Sequence, residues 1–148
     1  MGKATVDVID IETIRPIFVY GSLMADAVFK KITKIDNPKK LGTGILKGYK
    51  RVQVMSAPYP AIFKDDNSEV VGFLYDIPNI QLWDLLDQYE SDLYKRITVD
   101  VILQQEKGIQ SVKADVYLWN ANINQLSQLE WDYDDFVKNK LPGWDFEA

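Results

Sequence analysis

In Ile17-Phe18-Val19-Tyr20-Gly21-Ser22-Leu23, four apolar residues preceded by Arg15-Pro16 stop abruptly at a Gly-Ser pair. A run so short and so apolar reads as a buried strand meeting a turn. Met24, Val28, Ile32 and Ile35 follow on one face at helical spacing. The turn is therefore expected to lead into a helix with Ser22 as its N-cap, and Asn37-Pro38 to end it.

Working outward, Gly44 to Met55 and Ala61 to Phe63 read as strands. Ser56-Ala57-Pro58-Tyr59-Pro60 separates them, its two prolines keeping it out of a central ladder. Asp65-Asp66-Asn67-Ser68 reads as a turn, and Val70 to Ile77 as the next strand, with Gly72 marking a bulge or a close neighbour. Pro78 suits the first turn of a helix in which Leu82, Leu85, Leu86 and Tyr89 recur at spacings of three and four until Glu90.

Tyr94 to Gln104 and Ser111 to Trp119 alternate as two long strands joined at Glu106-Lys107-Gly108. Trp131, Tyr133, Phe136 and Val137 mark a last short helix closed by Pro142-Gly143. This order predicts an α+β fold: a small mixed, mostly antiparallel β-sheet closing towards a barrel, with flanking helices. Residues 1–14 read as a short N-terminal leader whose order the sequence does not predict, and residues 15–148 as a single domain.

Composition narrows the chemistry. A net charge of -5 disfavours a nucleic-acid partner, which needs clustered basic surface to release counterions. Lys30, Lys31, Lys34, Lys39 and Lys40 are broken by Asp36 and read as a solvated helix face and loop. The 148 residues include no cysteine and no histidine. A disulfide, a thiolate nucleophile, a Ser-His-Asp triad and a His- or Cys-based metal site are thereby excluded. Acid and base chemistry falls to Asp, Glu, Lys or Tyr. No run approaches the roughly 18 apolar residues of a membrane span. The sequence reads as that of a soluble protein, cytoplasmic by default and small enough to enter the nucleus.

Two places stand out. Gly21-Ser22 lies where a strand passes into a helix, so the N–H groups of that first turn suit a carboxylate. The same pattern also describes any strand-to-helix turn with a capping serine. Glu90 lies four residues after Leu86 and eight after Leu82, which aims its carboxylate inward from the apolar face of its helix, at the C-terminal end where the dipole disfavours negative charge. Burial there would raise its pKa towards neutrality, as a general base and acid requires. The alternative is a frayed helix end with Glu90 solvated and paired to Lys95 or Arg96. Asp87 and Asp92 are expected to point elsewhere. Tyr94, Tyr117 and Trp119 either line a pocket or serve as cross-strand core. The Trp131 to Phe136 segment either packs on the sheet or faces a partner.

Several motifs recur in a fixed order: Phe18-Val19-Tyr20-Gly21-Ser22-Leu23, Leu46-x-Gly48-Tyr49-x-Arg51, Tyr59-Pro60-Ala61-Ile62, Gly72-x-Leu74-Tyr75, Leu86-Asp87-x-Tyr89-Glu90, Tyr94-x-Arg96-x-x-Val99 and Val116-Tyr117-x-Trp119. Together they resemble the γ-glutamylcyclotransferase-like superfamily, most closely its plant avirulence-induced, AIG2-like branch. The resemblance implies a small mixed β-barrel with flanking helices. It also implies a substrate cradle at Val19, Tyr20, Gly21, Ser22 and Leu23, flanked by Tyr94 and Tyr117, with Glu90 as the catalytic carboxylate.

The implied activity is cyclisation of a small γ-glutamyl amino acid, peptide or amine to 5-oxoproline with release of the amine, without metal or cofactor. Leu23-Met24-Ala25-Asp26 matches neither the Asn that follows Gly-Ser in glutathione-pathway cyclotransferases nor the Lys-Arg-Gly of γ-glutamylamine cyclotransferases, so the resemblance leaves the substrate open. A second reading keeps the pocket but makes the protein a non-catalytic module that binds a small carboxylate-bearing ligand.

Overall fold

The computed structural model describes residues 14–106 and 108–143. Apart from Ile14, the leader expected over residues 1–14 lies outside them, as does Lys107 of the expected hairpin turn. Five strands form a closed barrel: β1 (Ile17–Val19), β2 (Lys40–Gln53), β3 (Pro60–Tyr75), β4 (Tyr94–Gln105) and β5 (Gly108–Trp119), in the order β1-β3-β2-β4-β5. The pairings are antiparallel except where β1 meets β5 in parallel, Ile17 opposite Asp115, which closes the ring. The fold class is thus the α+β barrel expected from the order of elements.

Strand β1 explains its own uninterrupted apolar run. Side chains alternate along a strand, so Phe18 and Tyr20 enter the barrel with Leu46, Ile62, Leu74 and Val116, while Ile17 and Val19 face a second core outside it. That outer core is built with α1 (Asp26–Thr33) and α2 (Leu82–Glu90), through Val28, Phe29, Leu82 and Leu86. Gly72 takes up the close-neighbour alternative: a β-carbon there would collide with the carbonyl oxygen of Val19, so β3 passes β1 only because that side chain is missing.

Three local expectations are corrected. Ser22 does not cap α1; a 3-10 turn, Ser22–Met24, intervenes, the helix starts at Asp26, and the Ser22 hydroxyl pairs with Tyr89. Asp65 to Ser68 do turn locally, with Asp65 accepting from the Asn67 N–H and the Ser68 hydroxyl, but the strand does not end there. The register jumps from Lys47 opposite Glu69 to Tyr49 opposite Lys64, so the four residues bulge out of one long β3. Pro78 stands before α2, which begins at Leu82 after a turn over residues 79–81.

The expected last helix is one α turn, α3 (Tyr133–Asp135), capped by the Asp132 carboxylate on the N–H groups of Asp134 and Asp135. It widens to a π turn over Phe136–Lys140 and tightens to 3-10 at Leu141–Gly143. Trp131 and Phe136 are buried in the outer core, and the Trp131 indole donates to the Pro58 carbonyl at 2.8 Å. The aromatic segment therefore packs. Among the described residues, no helix is long and apolar enough to cross a membrane.

Candidate active site

Strand β1 ends by feeding Tyr20 into a tight turn. The Met24 N–H donates to the Gly21 carbonyl at 2.9 Å and the Ala25 N–H to that of Ser22 at 3.1 Å. Among the described residues, the N–H groups of Ser22 and Leu23 find no acceptor, as the first donors of a helical turn do not. The turn is held from four sides. Arg51 on β2 donates to the Tyr20 carbonyl at 2.8 Å, and the Tyr20 hydroxyl donates to the Tyr117 carbonyl at 2.6 Å. Ser22 Oγ lies 2.8 Å from the Tyr89 hydroxyl, and a β-carbon on Gly21 would sit 2.8 Å from the Pro60 ring.

Helix α2 approaches that turn from the other side. Leu82 and Leu86 anchor it in the outer core, so Glu90, on the same face in its last turn, arrives beside the turn that follows β1. The helix stays regular through Glu90 and stops at Ser91, whose φ of 64° turns the chain away. Glu90 makes no ion pair with Lys95 or Arg96. Arg96 instead engages Asp87 at 3.1 Å and Asp115 at 3.8 Å.

Between turn and helix lies a cavity of about 120 Å³. The structure brings to its wall Val19, Tyr20, Gly21, Ser22, Leu23, Glu90, Tyr94 and Tyr117 of the residues singled out from sequence. It adds Tyr59, Pro60, Tyr89, Ser91 and Leu93, which the sequence reading had left as loop or helix core. The signal for the first two was their place in Tyr59-Pro60-Ala61-Ile62. Trp119 does not reach the cavity; it meets Tyr94 edge to face at 5.3 Å and donates to the Asn122 carbonyl.

The family model for γ-glutamyl cyclotransferase, AIG2-like, matches residues 17–137. The chain belongs to that family. Within it, Protein AIG2 C of Arabidopsis thaliana is 29% identical over 121 residues, 81% of this chain and 70% of that protein. An Arabidopsis thaliana protein solved in solution is 25% identical with a TM-score of 0.66, covering 85% of this chain and 75% of that one. A solved structure titled gamma-glutamyl cyclotransferase is 19% identical with a TM-score of 0.56, covering 71% of this chain and 66% of that one, and shares the fold. Family membership supports a cyclotransferase-like role and the binding of a small molecule.

The electrostatics of this cyclotransferase-family cavity follow from its aromatic walls. Burial, reinforced by the Asp87 charge one turn away, pushes the Glu90 carboxyl up to about 8. Glu90 is half-buried, and the surrounding protein strips much of its hydration. Burial and the Asp87 charge are the causes of the shift, with no hydrogen bond to the carboxyl among them. Burial likewise raises the phenols of Tyr20, Tyr89, Tyr94 and Tyr117, so Glu90 is the cavity group that titrates near neutrality.

Proposed function

We propose that the chain is a γ-glutamyl cyclotransferase, with Glu90 as its proton acceptor and donor and the Val19 to Leu23 segment as its substrate cradle. The observation that carries this reading is the Glu90 carboxyl, pushed up to about 8, in one cavity with the donors of the Ser22 turn. An ordinary surface glutamate has neither the enclosure nor the affinity for a proton that two-way transfer requires.

In this scheme the Glu90 carboxylate takes a proton from the substrate's α-ammonium. The freed amine attacks its own γ-carbonyl carbon, forming the ring C–N bond. The protonated Glu90 then returns the proton to the departing nitrogen as the γ-amide C–N bond breaks, and the regenerated carboxylate takes the second hydrogen from the ring nitrogen and passes it to the released amine, giving 5-oxoproline and the protonated amine. The N–H groups of Ser22 and Leu23 are placed to receive the α-carboxylate or the developing oxyanion. The aromatic walls exclude water, strengthening both interactions. No metal or cofactor takes part.

Size supports a small substrate. A cavity of about 120 Å³ falls below the roughly 300–1,000 Å³ of pockets that enclose a drug-sized ligand. It suits one glutamyl group, with the amine portion leaving through the mouth. The test is 5-oxoproline release from γ-glutamyl amino acids, γ-glutamyl amines and glutathione, with Glu90→Gln beside the parent. Release by the parent and its loss in the variant support the assignment. Binding without release by the folded parent overturns it in favour of a ligand-binding module.

A further inference from the structure

Outside the cavity but against its wall runs a chain of polar contacts that the proposed chemistry does not use. Asp87, one turn before Glu90 on α2, accepts the Tyr117 hydroxyl at 2.5 Å. Tyr117 lines the cavity, and its carbonyl accepts the Tyr20 hydroxyl at 2.6 Å. Arg96 holds the other Asp87 oxygen at 3.1 Å, stacks over Trp83 at 4.3 Å and reaches the buried Asp115 at 3.8 Å. Asp115 is fixed in turn by Arg15 at 2.8 Å and by the Thr98 hydroxyl at 2.7 Å. The line Asp115, Arg96, Asp87, Tyr117, Tyr20 thus runs from β5, where Asp115 stands opposite Ile17 of β1, to the turn that follows β1.

We infer that Asp87 is a positioning residue: clamped by Arg96, it fixes the Tyr117 phenol in the cavity wall and sets the charge that faces Glu90 from its own helix. This rests on the proposed catalytic role of Glu90. One feature sets the arrangement apart from an ordinary surface ion pair. The phenol's contact with Asp87 is a charge-assisted hydrogen bond at the short end of its range, and it joins the helix carrying Glu90 to the strand that anchors Tyr20.

The groups around Glu90 make the arrangement testable. From its own helix it meets Asp87 and Tyr89, with Asp92 in the turn that follows. From the turn after β1 it meets Tyr20, from β4 Tyr94 with Arg96 beyond it, and from β5 Tyr117; Tyr59 comes from the loop before β3, and Arg51 on β2 stands behind Tyr20. The phenols stay neutral, so the charge that changes with Asp87 or Arg96 is the one Glu90 senses. Removing Asp87's charge favours the Glu90 carboxylate, and removing Arg96's disfavours it.

The experiment follows the carbon-13 carboxyl resonance of Glu90, identified by its absence in Glu90→Gln, through a pH titration of the parent, Asp87→Asn and Arg96→Gln. The expected midpoints move in opposite directions, each by about half a pH unit. The pH profile of 5-oxoproline release shifts with them, and Tyr117→Phe lowers turnover with the Glu90 midpoint nearly unchanged. Unmoved midpoints, or shifts of the same sign in folded variants, overturn the role of Asp87. Because the titration needs no turnover, a parent that releases no 5-oxoproline overturns the catalytic reading alone.

Discussion

The Ser22 hydroxyl and the Tyr89 hydroxyl lie 2.8 Å apart across the cavity, binding the turn that follows β1 to the helix that carries Glu90. Spacing between turn and carboxylate therefore depends on this pair. Ser22→Ala is expected to cost about 1–2 kcal/mol. Ser22→Ala with Tyr89→Phe should cost less than the two single losses added, since the partners are removed together. Urea unfolding of the four proteins measures the coupling; additive losses would show that the two hydroxyls do not support one another.

Gly21 is fixed by a neighbour. A β-carbon there would stand 2.8 Å from two carbons of the Pro60 ring. Gly21→Ala is expected to push Pro60 outward, costing about 1–3 kcal/mol as overpacking does. It should reduce 5-oxoproline release by more than its stability loss explains, because Pro60 is a cavity wall and its carbonyl holds the Tyr94 hydroxyl at 2.7 Å. A variant as active as the parent would show that the wall yields without disturbing the site.

Raising the Glu90 carboxyl to about 8 makes stability depend on pH in a stated direction. An unfolded glutamate titrates near 4.3. Between about pH 4 and 8 the folded chain holds a proton that the unfolded chain releases, so stability falls as pH rises through that window. Full enclosure would place the loss near 5 kcal/mol, and solvent at the cavity mouth trims it. Glu90→Gln is expected to flatten the curve and to exceed the parent by about 1–3 kcal/mol above pH 8. Parallel curves from pH 5 to 9 would place the titration elsewhere. Catalysis has the opposite slope: kcat/KM should rise with pH towards about 8 as the carboxylate forms.

The barrel was legible because its strands obey period two and its helices period 3.6. Leu82, Leu86 and Glu90 share one face, and that spacing alone aimed Glu90 inward. What sequence missed depends on contacts distant along the chain. Ser22 reads as an N-cap until Tyr89, 67 positions on, takes its hydroxyl. Asp65 to Ser68 read as a strand-ending turn because local side-chain bonds make one, while the ladder with β2 carries the strand past it. Asp87 points away from the cavity as its spacing suggested, but its tie to Tyr117 comes from β5 and leaves no periodic trace.

Arg51 shows how a residue outside the cavity can govern it. Its Nη1 donates to the Tyr20 carbonyl at 2.8 Å and the Val71 carbonyl at 3.3 Å, with Met24 Sδ at 4.0 Å, and its guanidinium lies 5.4 Å from the centre of the Trp131 ring. A planar fork can serve these partners and the ring face at once; an ammonium on a flexible stem cannot. Arg51→Lys is therefore expected to destabilise by about 1–2 kcal/mol. It should also raise KM for the γ-glutamyl substrate more than it lowers kcat, because it loosens the turn that binds substrate and leaves Glu90 in place. Glutamyl-analogue binding and kinetics on the folded variant separate the two effects. A fall confined to kcat would mean that the Tyr20 carbonyl acts on the transition state and not on the cradle's shape.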